Sequence, residues 1–351
     1  MREAIRDCLL RAIDQRIFPG CAVSTVVKGN KSFFTFGNYT YESNSPVVNE
    51  NSIFDVASIT KAIPISCLAL KLIELGELRL HEPIVNYIPE FNGTYRDKIT
   101  IHHLLTQTLN FAFRLSDCKD MVSQEIIKCI MNAQLQTEPG STLSYANATS
   151  ILLGMVIERC SSMSLELIAK KYFFDPLEMT STSFYPEKFC KDRIVPTEVD
   201  NWRQRSIQGE VHDESAWALR PMIVGSAGLF STIADLSNFL EMLVCNGLWK
   251  GKRIFREDTV LAMHTNQLPS ENKNCTGLGW ELNQPQTMGM LSDSNVFGKT
   301  GFTGCSIAVS PENYAGYILL SNYLYPKRRE NRDAINSVRR SLAKIVLKGI
   351  E

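Results

Sequence analysis

The sequence predicts an α+β protein in which helices flank an antiparallel sheet and an α-rich subdomain is inserted between the two halves of that sheet. Runs rich in β-branched and aromatic residues occur near both chain ends, and the stretch between them is dominated by apolar residues at helical spacing. The chain has 351 residues, 44% hydrophobic and 21% charged, so it can bury a large core and shape a cleft.

The first elements are a helix and a hairpin. "MREAIRDCLLRAIDQRIF" carries Glu3 and Asp7 among its apolar residues, which is typical of an amphipathic helix and not of a signal peptide. "PGCAVSTVVKG" and "KSFFTFGNYTY" follow as two β-rich runs. The pair Gly29-Asn30 separates these runs and predicts the hairpin turn.

Helical patterns dominate the middle of the chain. "SCLALKLIELG" ends at Gly76, "ITIHHLLTQTL" begins after Thr100, and the helical pattern of "NATSILLGMVIERC" follows Asn147. Periodicity fades between about 180 and 226, and a loop region of that length inside a compact protein tends to be functional. The next helix, "TIADLSNFLEMLVCNG", has Thr232 in the N-cap position.

The C-terminal part returns to short strands and one basic helix. The strands are "GLGWELN", "NVFGKTG", "CSIAVSPE" and "YAGYILLSNY", and the helix runs from Arg332 onwards. We therefore expect a single domain over residues 1–351. Its α/β subdomain would comprise about 1–57 and 275–351, and its mostly helical subdomain about 58–274.

Charge and apolar runs restrict the partners. Lys and Arg together number 37, as do Asp and Glu, so no long-range field draws the protein to nucleic acid or to an anionic membrane. No apolar run reaches the roughly 20 residues of a membrane-spanning helix. The expected partner is a small molecule or a peptide, and the sequence leaves the oligomeric state open.

Cysteine usage and the N-terminus bear on the compartment. Ten cysteines are scattered singly with no C-x-x-C pair, which favours buried thiols in a reducing compartment over a zinc site or a disulfide framework. With no export signal visible, the sequence as it stands predicts a cytoplasmic protein. A mature chain from which a signal peptide had been removed would look the same and would be periplasmic.

The pattern S-x-x-K is the first candidate for chemistry. It occurs four times, so the bare pattern is a weak signal. The pairs are Ser58–Lys61, Ser116–Lys119, Ser270–Lys273 and Ser341–Lys344. One helical turn places residues i and i+3 on one face, so Lys61 can reach the Ser58 hydroxyl and take its proton.

Its surroundings distinguish Ser58 from the other three serines. Only Ser58 opens a long apolar helix, whose buried wall would partly desolvate Lys61 and lower its pKa towards that of a useful base. Ser116 and Ser270 lie in polar segments, and Ser341 lies in the basic helix. Pro64 removes a backbone donor just after the catalytic turn, where it can kink the helix.

Two further motifs follow in order along the chain. Tyr145-Ala146-Asn147 is the only Y-x-N in the sequence, and Lys299-Thr300-Gly301 is the only K-T-G. A serine–lysine pair, then Y-x-N, then K-T-G is far more specific than any one of these motifs.

With these motifs and their flanks, the sequence resembles the class C β-lactamase-like serine hydrolases. This family includes β-lactamases, low-molecular-mass penicillin-binding proteins, D-amino-acid peptidases and related esterases. The resemblance extends from about Phe18 to Tyr325 and includes "ITIHHLLTQT", "EPGSTLSYANATSILLGMVIE", "VHDESAWALRPMIVGSAGLFSTIADLSNFLEML" and "GKTGFTGCSIAVSPE". It implies a β-lactamase/transpeptidase-like fold with the active site between the two subdomains.

The resemblance implies that Ser58 is the acylated nucleophile and that Lys61 and Tyr145 are its proton-transfer partners. Asn147 would hold the substrate amide or the lysine. The implied reaction is a two-step acyl transfer on an amide, ester or β-lactam carbonyl, and it requires no metal or organic cofactor. The expected substrate is a peptidoglycan-derived D-amino-acid peptide or a small ester, because a defensive β-lactamase should meet its substrate outside the cytoplasm.

The K-T-G segment receives a binding role from the same resemblance. Lys299 and Thr300 would lie on an edge strand facing the nucleophile, where the charge meets a substrate carboxylate or lowers the pKa of Tyr145. Gly301 would permit close backbone approach. The oxyanion hole would consist of the backbone N–H groups of Ser58 and Phe302.

One segment departs from the family pattern. Many members have H-T-S-G after the "HLLT" helix, whereas this chain has "QTLN" at 107–110. The change removes a glycine turn beside the expected cleft. Loop shape and substrate choice are therefore expected to depend on this segment.

Three other interpretations compete with this one. "VHDES" suggests a metal site through His212, Asp213 and Glu214, but adjacent residues cannot all point at one ion, so we interpret them as loop-organising or cleft-wall groups. "GCSIA" around Ser306 nearly matches the G-x-S-x-G nucleophile elbow, but no later Asp and His complete a triad. A catalytically weak or inactive penicillin-binding or scaffold protein on the same fold is the stronger rival.

Overall fold

A computed structural model describes residues 1–269, 275–289 and 296–348. The strands of these residues are, in chain order, β1 Gly20–Val27, β2 Asn30–Gly37, β3 Ile53–Asp55, β4 Glu198–Asp200, β5 Arg205–Ile207, β6 Phe230–Thr232, β7 Leu248–Trp249, β8 Lys252–Arg253, β9 Glu281–Leu282, β10 Phe297–Thr300, β11 Ser306–Ser310 and β12 Ala315–Ser321. The helices are α1 Arg2–Asp14, α2 Cys67–Glu74, α3 Ile101–Leu105, α4 Ser123–Met131, α5 Asn147–Ser161, α6 Leu165–Ala169, α7 Glu214–Ala218, α8 Ile233–Val244, α9 Glu257–His264, α10 Pro285–Met288 and α11 Asp333–Leu347.

The principal sheet contains strands from both ends of the chain, which confirms the predicted fold class. Its order is β2-β1-β12-β11-β10-β9, and every neighbouring pair is antiparallel. The first strand of the chain pairs with the last, in a register that places Cys21 opposite Ser321 and Val27 opposite Ala315. The helical middle of the chain is thus inserted between two halves of one sheet.

Both faces of this sheet are covered. On β1, Ala22 and Val26 belong to the large core that includes α8 and the inserted helices, whereas Cys21 and Val23 belong to a second core formed with α1 and α11. This alternation follows from the two-residue period of a strand. Strands buried on both faces explain why "GCAVSTVV" has no clear polar side.

The hairpin lies one residue earlier than predicted. Lys28 and Gly29 form its two-residue turn with φ of 49° and 79°, and Asn30 already pairs with Val27 as the first residue of β2. Turns with positive φ at both central residues match the twist of the flanking strands. The predicted turn residue Asn30 is therefore a strand residue.

The segment after Ser58 is not the single long helix that the sequence predicted. Residues Ala57–Lys61 form a 3₁₀ turn, Ala62–Ser66 a wider turn, and only then does α2 begin. Ile63 has φ −113° and ψ 111°, outside the helical region. Pro64 explains the break because it lacks an N–H and disfavours helical geometry at the residue before it.

The cap at Thr232 and the start of a helix after Thr100 were correctly predicted. Thr100 begins α3 with a reciprocal pair of bonds to His103, and the Thr232 side chain accepts the N–H of Asp235 at the start of α8. In the described ranges, no helix combines the length and apolar character needed to cross a membrane.

Candidate active site

Ser58 and Lys61 are in direct contact. The Lys61 Nζ donates to Ser58 Oγ at 3.0 Å and to the carbonyl oxygen of Ser226 at 2.6 Å. Lys61 is 3% exposed, so these two bonds hold its amine in place. In the 3₁₀ turn, side chains at i and i+3 eclipse each other, which brings the amine over the hydroxyl.

The side chain of Asp55, the last residue of β3, stabilises the turn that carries Ser58. One carboxylate oxygen accepts the N–H of Ala57 at 2.8 Å, and the other accepts the N–H of His212 at 2.7 Å. Burial raises the pKa of Asp55, although both N–H bonds act against that rise. Ala57 has φ 47°, so the chain enters the nucleophile turn through a left-handed residue.

Tyr145 lies between two lysines. Its ring is 5.1 Å from the Lys61 Nζ and 4.4 Å from the Lys299 Nζ. Burial of its hydroxyl would raise the pKa of Tyr145. The charges of Lys61 and Lys299, together with hydrogen bonds to Ser58 and Lys61, outweigh burial and lower that pKa. The residue as a whole is 53% exposed, and it forms part of the cleft surface.

Lys299 and Thr300 end strand β10, which is the second strand from the edge and not the edge strand we expected. The two-residue strand β9 pairs with Phe297 and Gly298 only, so among the described residues Lys299 and Thr300 have no ladder partner on that side. Lys299 forms an ion pair with Glu281 of β9. Burial would lower the pKa of Lys299, but the charges of Glu281 and Tyr145 raise it.

Asn147 opens α5 and contacts the loop before α7. Its amide nitrogen donates to Asp213 Oδ2 at 3.0 Å and to Ser215 Oγ at 3.1 Å. Within the described residues, no hydrogen bond joins Asn147 to Lys61. Burial would raise the pKa of Asp213, but the Lys61 charge and hydrogen bonds from Ser215, the Ala216 N–H and Asn147 lower it.

Gly301 and Phe302 follow β10 and border the nucleophile turn. A Cβ at Gly301 would lie 2.5 Å from the Val56 oxygen, so the position requires glycine. Phe302 stacks on His212 with ring centroids 5.6 Å apart. Its N–H donates to no acceptor among the described residues.

A cleft of about 550 Å³ brings the predicted residues together. Those that border it are Ser58, Tyr145, Asn147, Lys299, Thr300 and Phe302. Lys61 borders an adjoining cavity of about 220 Å³, which shares Tyr145, Lys299 and Glu281 with the cleft. Gly301 is not part of the lining of either.

The remaining S-x-x-K pairs differ from Ser58–Lys61. Ser116 borders the cleft, but its hydroxyl contacts Asp117, and the Lys119 Nζ lies over the Trp202 ring at 4.9 Å. Ser341 and Lys344 lie in α11, away from the cleft lining. Ser270 and Lys273 lie outside the described residues.

The charged and histidine side chains of the "VHDES" segment each have a separate partner. His212 Nε2 lies 2.6 Å from Glu198, Asp213 caps α7 and contacts Asn147, and Glu214 pairs with Arg328. No three His, Cys, Asp or Glu side chains among the described residues are grouped closely enough to hold a metal ion.

Gln107 is a site residue whose role the sequence did not predict. Its backbone has φ 55°, in the left-handed region that non-glycine residues seldom adopt. Its amide oxygen accepts the N–H of Ala146 at 3.2 Å, and its nitrogen donates to Ser150 at 3.1 Å. Gln107 therefore supports the backbone between Tyr145 and Asn147. The departure from H-T-S-G was its only sequence signal.

Ser226 and Glu281 were missed for a different reason. Ser226 acts through its backbone oxygen, which no side-chain pattern can show. Glu281 meets Lys299 only because β9 and β10 pair. No motif of the sequence indicated either contact.

The fold and the Ser58–Lys61 contact are typical of one class of proteins, the serine hydrolases whose nucleophile is paired with a lysine. A model of the family described as "Beta-lactamase" matches residues 5–340. The chain therefore belongs to the β-lactamase family.

Relatives of known name fit this assignment. A protein of Salmonella agona named "Putative D-alanyl-D-alanine carboxypeptidase" is 28% identical, over 78% of this chain and 69% of that relative. The structure titled "EstCE1, a hydrolase with promiscuous acyltransferase activity" has a TM-score of 0.76 at 19% identity, covering 97% of this chain and 98% of that one. The octameric penicillin-binding protein homologue from Pyrococcus abyssi has a TM-score of 0.75 at 23% identity, covering 98% of this chain and 77% of that one.

Proposed function

We propose that this protein hydrolyses an ester or amide carbonyl through an acyl-serine intermediate on Ser58. The observation that carries the proposal is the 3.0 Å hydrogen bond between the Lys61 amine and the hydroxyl of Ser58, which borders the cleft. A serine hydroxyl is a weak nucleophile until a nearby base takes its proton. Lys61 and Tyr145 both reach this hydroxyl.

Acylation follows from this arrangement. Ser58 Oγ attacks the substrate carbonyl, its proton passes to the Lys61–Tyr145 pair, and the same pair protonates the leaving alcohol or amine as its bond to the carbonyl carbon breaks. The lowered pKa of Tyr145 favours its role as the group that exchanges this proton. Water then attacks the acyl-serine, and the acid product leaves with Ser58 restored.

The tetrahedral intermediate needs donors for its oxyanion. The N–H groups of Ser58 and Phe302 are our candidates, because both residues border the cleft and Gly301 allows the loop to lie against the nucleophile turn. One such donor typically contributes a factor of about 10²–10³ to kcat. Asn147, Lys299 and Thr300 would contact the substrate.

The substrate is proposed to be small. The names of the relatives support two classes, a D-amino-acid peptide from the carboxypeptidase relatives and a small ester from the esterase-like structure. A β-lactam carbonyl would enter the same cleft. Assaying these classes of substrate side by side identifies which of them the protein turns over.

The decisive experiment is incubation with a labelled penicillin and with a short-chain nitrophenyl ester, followed by mass spectrometry and a turnover assay. We expect an acyl adduct on Ser58 with at least one compound, and none in Ser58→Ala. Ser116→Ala is the matched control, since Ser116 lies in another S-x-x-K and borders the same cleft. A lasting adduct indicates a penicillin-binding protein, and rapid release a hydrolase. No adduct and no turnover, with Ser58→Ala behaving like the parent, would refute the proposal in favour of an inactive binding protein.

A further inference from the structure

The charge of Lys299 is already engaged within the protein. Glu281 stands opposite Gly298 in the β9–β10 pairing, next to Lys299, and its carboxylate forms an ion pair with the Lys299 amine. The Lys299 side chain is 6% exposed and that of Glu281 is 30% exposed. The carboxylate is thus the more accessible half of the pair.

Glu281 also borders both spaces that a substrate could enter. It lines the cleft with Ser58 and the adjoining cavity with Lys61, and Tyr145 and Lys299 line both as well. Any substrate group that reaches Lys299 therefore meets Glu281.

The other acidic residues of the cleft wall do not pair with Lys299. Asp213 is held by Asn147 and by the N–H at the start of α7, and Glu214 is paired with Arg328. Neither contacts Lys299. Glu281 alone among the described acidic residues of this cleft neutralises the K-T-G lysine.

We propose that Glu281 is a specificity-determining residue that disfavours a substrate carboxylate beside Lys299 and directs the site towards uncharged esters and amides. A lone buried ammonium would attract a carboxylate strongly, whereas a lysine–glutamate pair offers no net charge and places a negative group nearest to the ligand. This inference rests on the proposed function, because it concerns what Ser58 attacks.

The test uses two chromogenic esters that differ by one charge, 4-nitrophenyl acetate and 3-carboxy-4-nitrophenyl acetate. The quantity measured is the ratio of their kcat/KM values. In Glu281→Gln, which keeps the shape and removes the charge, we expect the ratio to move towards the carboxylated ester by at least tenfold. Comparing the ratio between proteins cancels the different intrinsic reactivity of the two esters.

Glu214→Gln is the matched control, because it removes the same charge from the same cleft without touching Lys299. An equal shift in Glu214→Gln, or a shift below threefold in Glu281→Gln, overturns the proposal. If both esters acylate Ser58 and the ratio is unchanged, only this proposal fails. If neither ester acylates Ser58 in the unmodified protein, the proposed function fails and this inference with it.

A measurement on the unmodified protein keeps the proposal testable should Glu281→Gln fail to fold. Phenylboronic acid and 3-carboxyphenylboronic acid both form tetrahedral adducts with a reactive serine. We expect the uncharged compound to inhibit at least tenfold more strongly. Equal or reversed inhibition overturns the proposal and would favour Arg114 and Arg332, which border the cleft and form no ion pair with a described residue, as receptors for a carboxylate.

Discussion

The substitution Gly301→Ala tests the proposed oxyanion hole without removing any polar side chain. A Cβ at this position would lie 2.5 Å from the Val56 oxygen, whereas ordinary contacts begin at 3.4 Å. The loop must therefore move by about 0.9 Å, the difference between the two distances. The Gly301 carbonyl accepts a 3.0 Å bond from the buried Arg339, so the loop cannot move without disturbing that bond as well.

The expected loss of kcat follows from the narrow range of distances over which an oxyanion donor acts. Oxyanion donors act over a window of roughly 2.7–3.1 Å, so a displacement of this size removes the Phe302 N–H from the oxyanion. We expect kcat for ester hydrolysis to fall by about 10²–10³. Overpacking of this kind typically costs about 1–3 kcal/mol of folding free energy, which a protein of this size tolerates.

The assay combines steady-state ester hydrolysis with denaturant unfolding. Gly316→Ala is the control. Gly316 lies on β12, outside the cleft lining, and its Cβ would lie 2.6 Å from the side chain of Leu240 in α8. It should lose comparable stability and keep its kcat. If Gly301→Ala keeps kcat within threefold of the parent, Phe302 is not an oxyanion donor and our reasoning about this loop is wrong.

Two further predictions concern Tyr145. Lys299→Met removes one of the two charges that lower the pKa of Tyr145, so the rise of kcat/KM with pH should move to higher pH. A pH–rate profile checks this shift. If the rise stays at the same pH in the variant, it reports the titration of a group other than Tyr145. Gln107→Ala removes the support of the Ala146 N–H and should lower kcat about tenfold with little change in KM. Gln134→Ala is its control, because Gln134 is exposed and its side-chain nitrogen donates to the Asn132 carbonyl. Equal losses of kcat in both variants would remove Gln107 from the site.

The sequence predicted those parts of the site that depend on side-chain chemistry in a fixed local geometry. Ser58 and Lys61 meet because they lie three residues apart on one turn, and Thr100 and Thr232 cap helices because a cap is a local hydrogen bond. The antiparallel sheet followed from β-rich runs at both ends. The serine–lysine pair and the caps can each be recognised within a few residues of sequence.

The contacts that the sequence did not predict are made between distant segments. Glu281 meets Lys299 through strand pairing, and Gln107 meets Ala146 across 39 positions. The break at Ile63 had a local cause in Pro64, but the apolar pattern continues through it, so periodicity alone predicted one helix. Hydrophobic periodicity reports which residues are buried and not whether the backbone is continuous.

The pairing of β1 with β12 has a consequence for the order in which this protein becomes active. Cys21 and Ser321 are 300 positions apart and lie opposite each other. Contacts at such separation form late, because the entropy of closing the intervening chain must be overcome first. During synthesis, Ser58 and Lys61 leave the ribosome long before β10 and β12 exist. The nucleophile turn then has neither the Lys299 strand nor the Phe302 loop beside it, so the growing chain carries its reactive pair without the cleft that would use it.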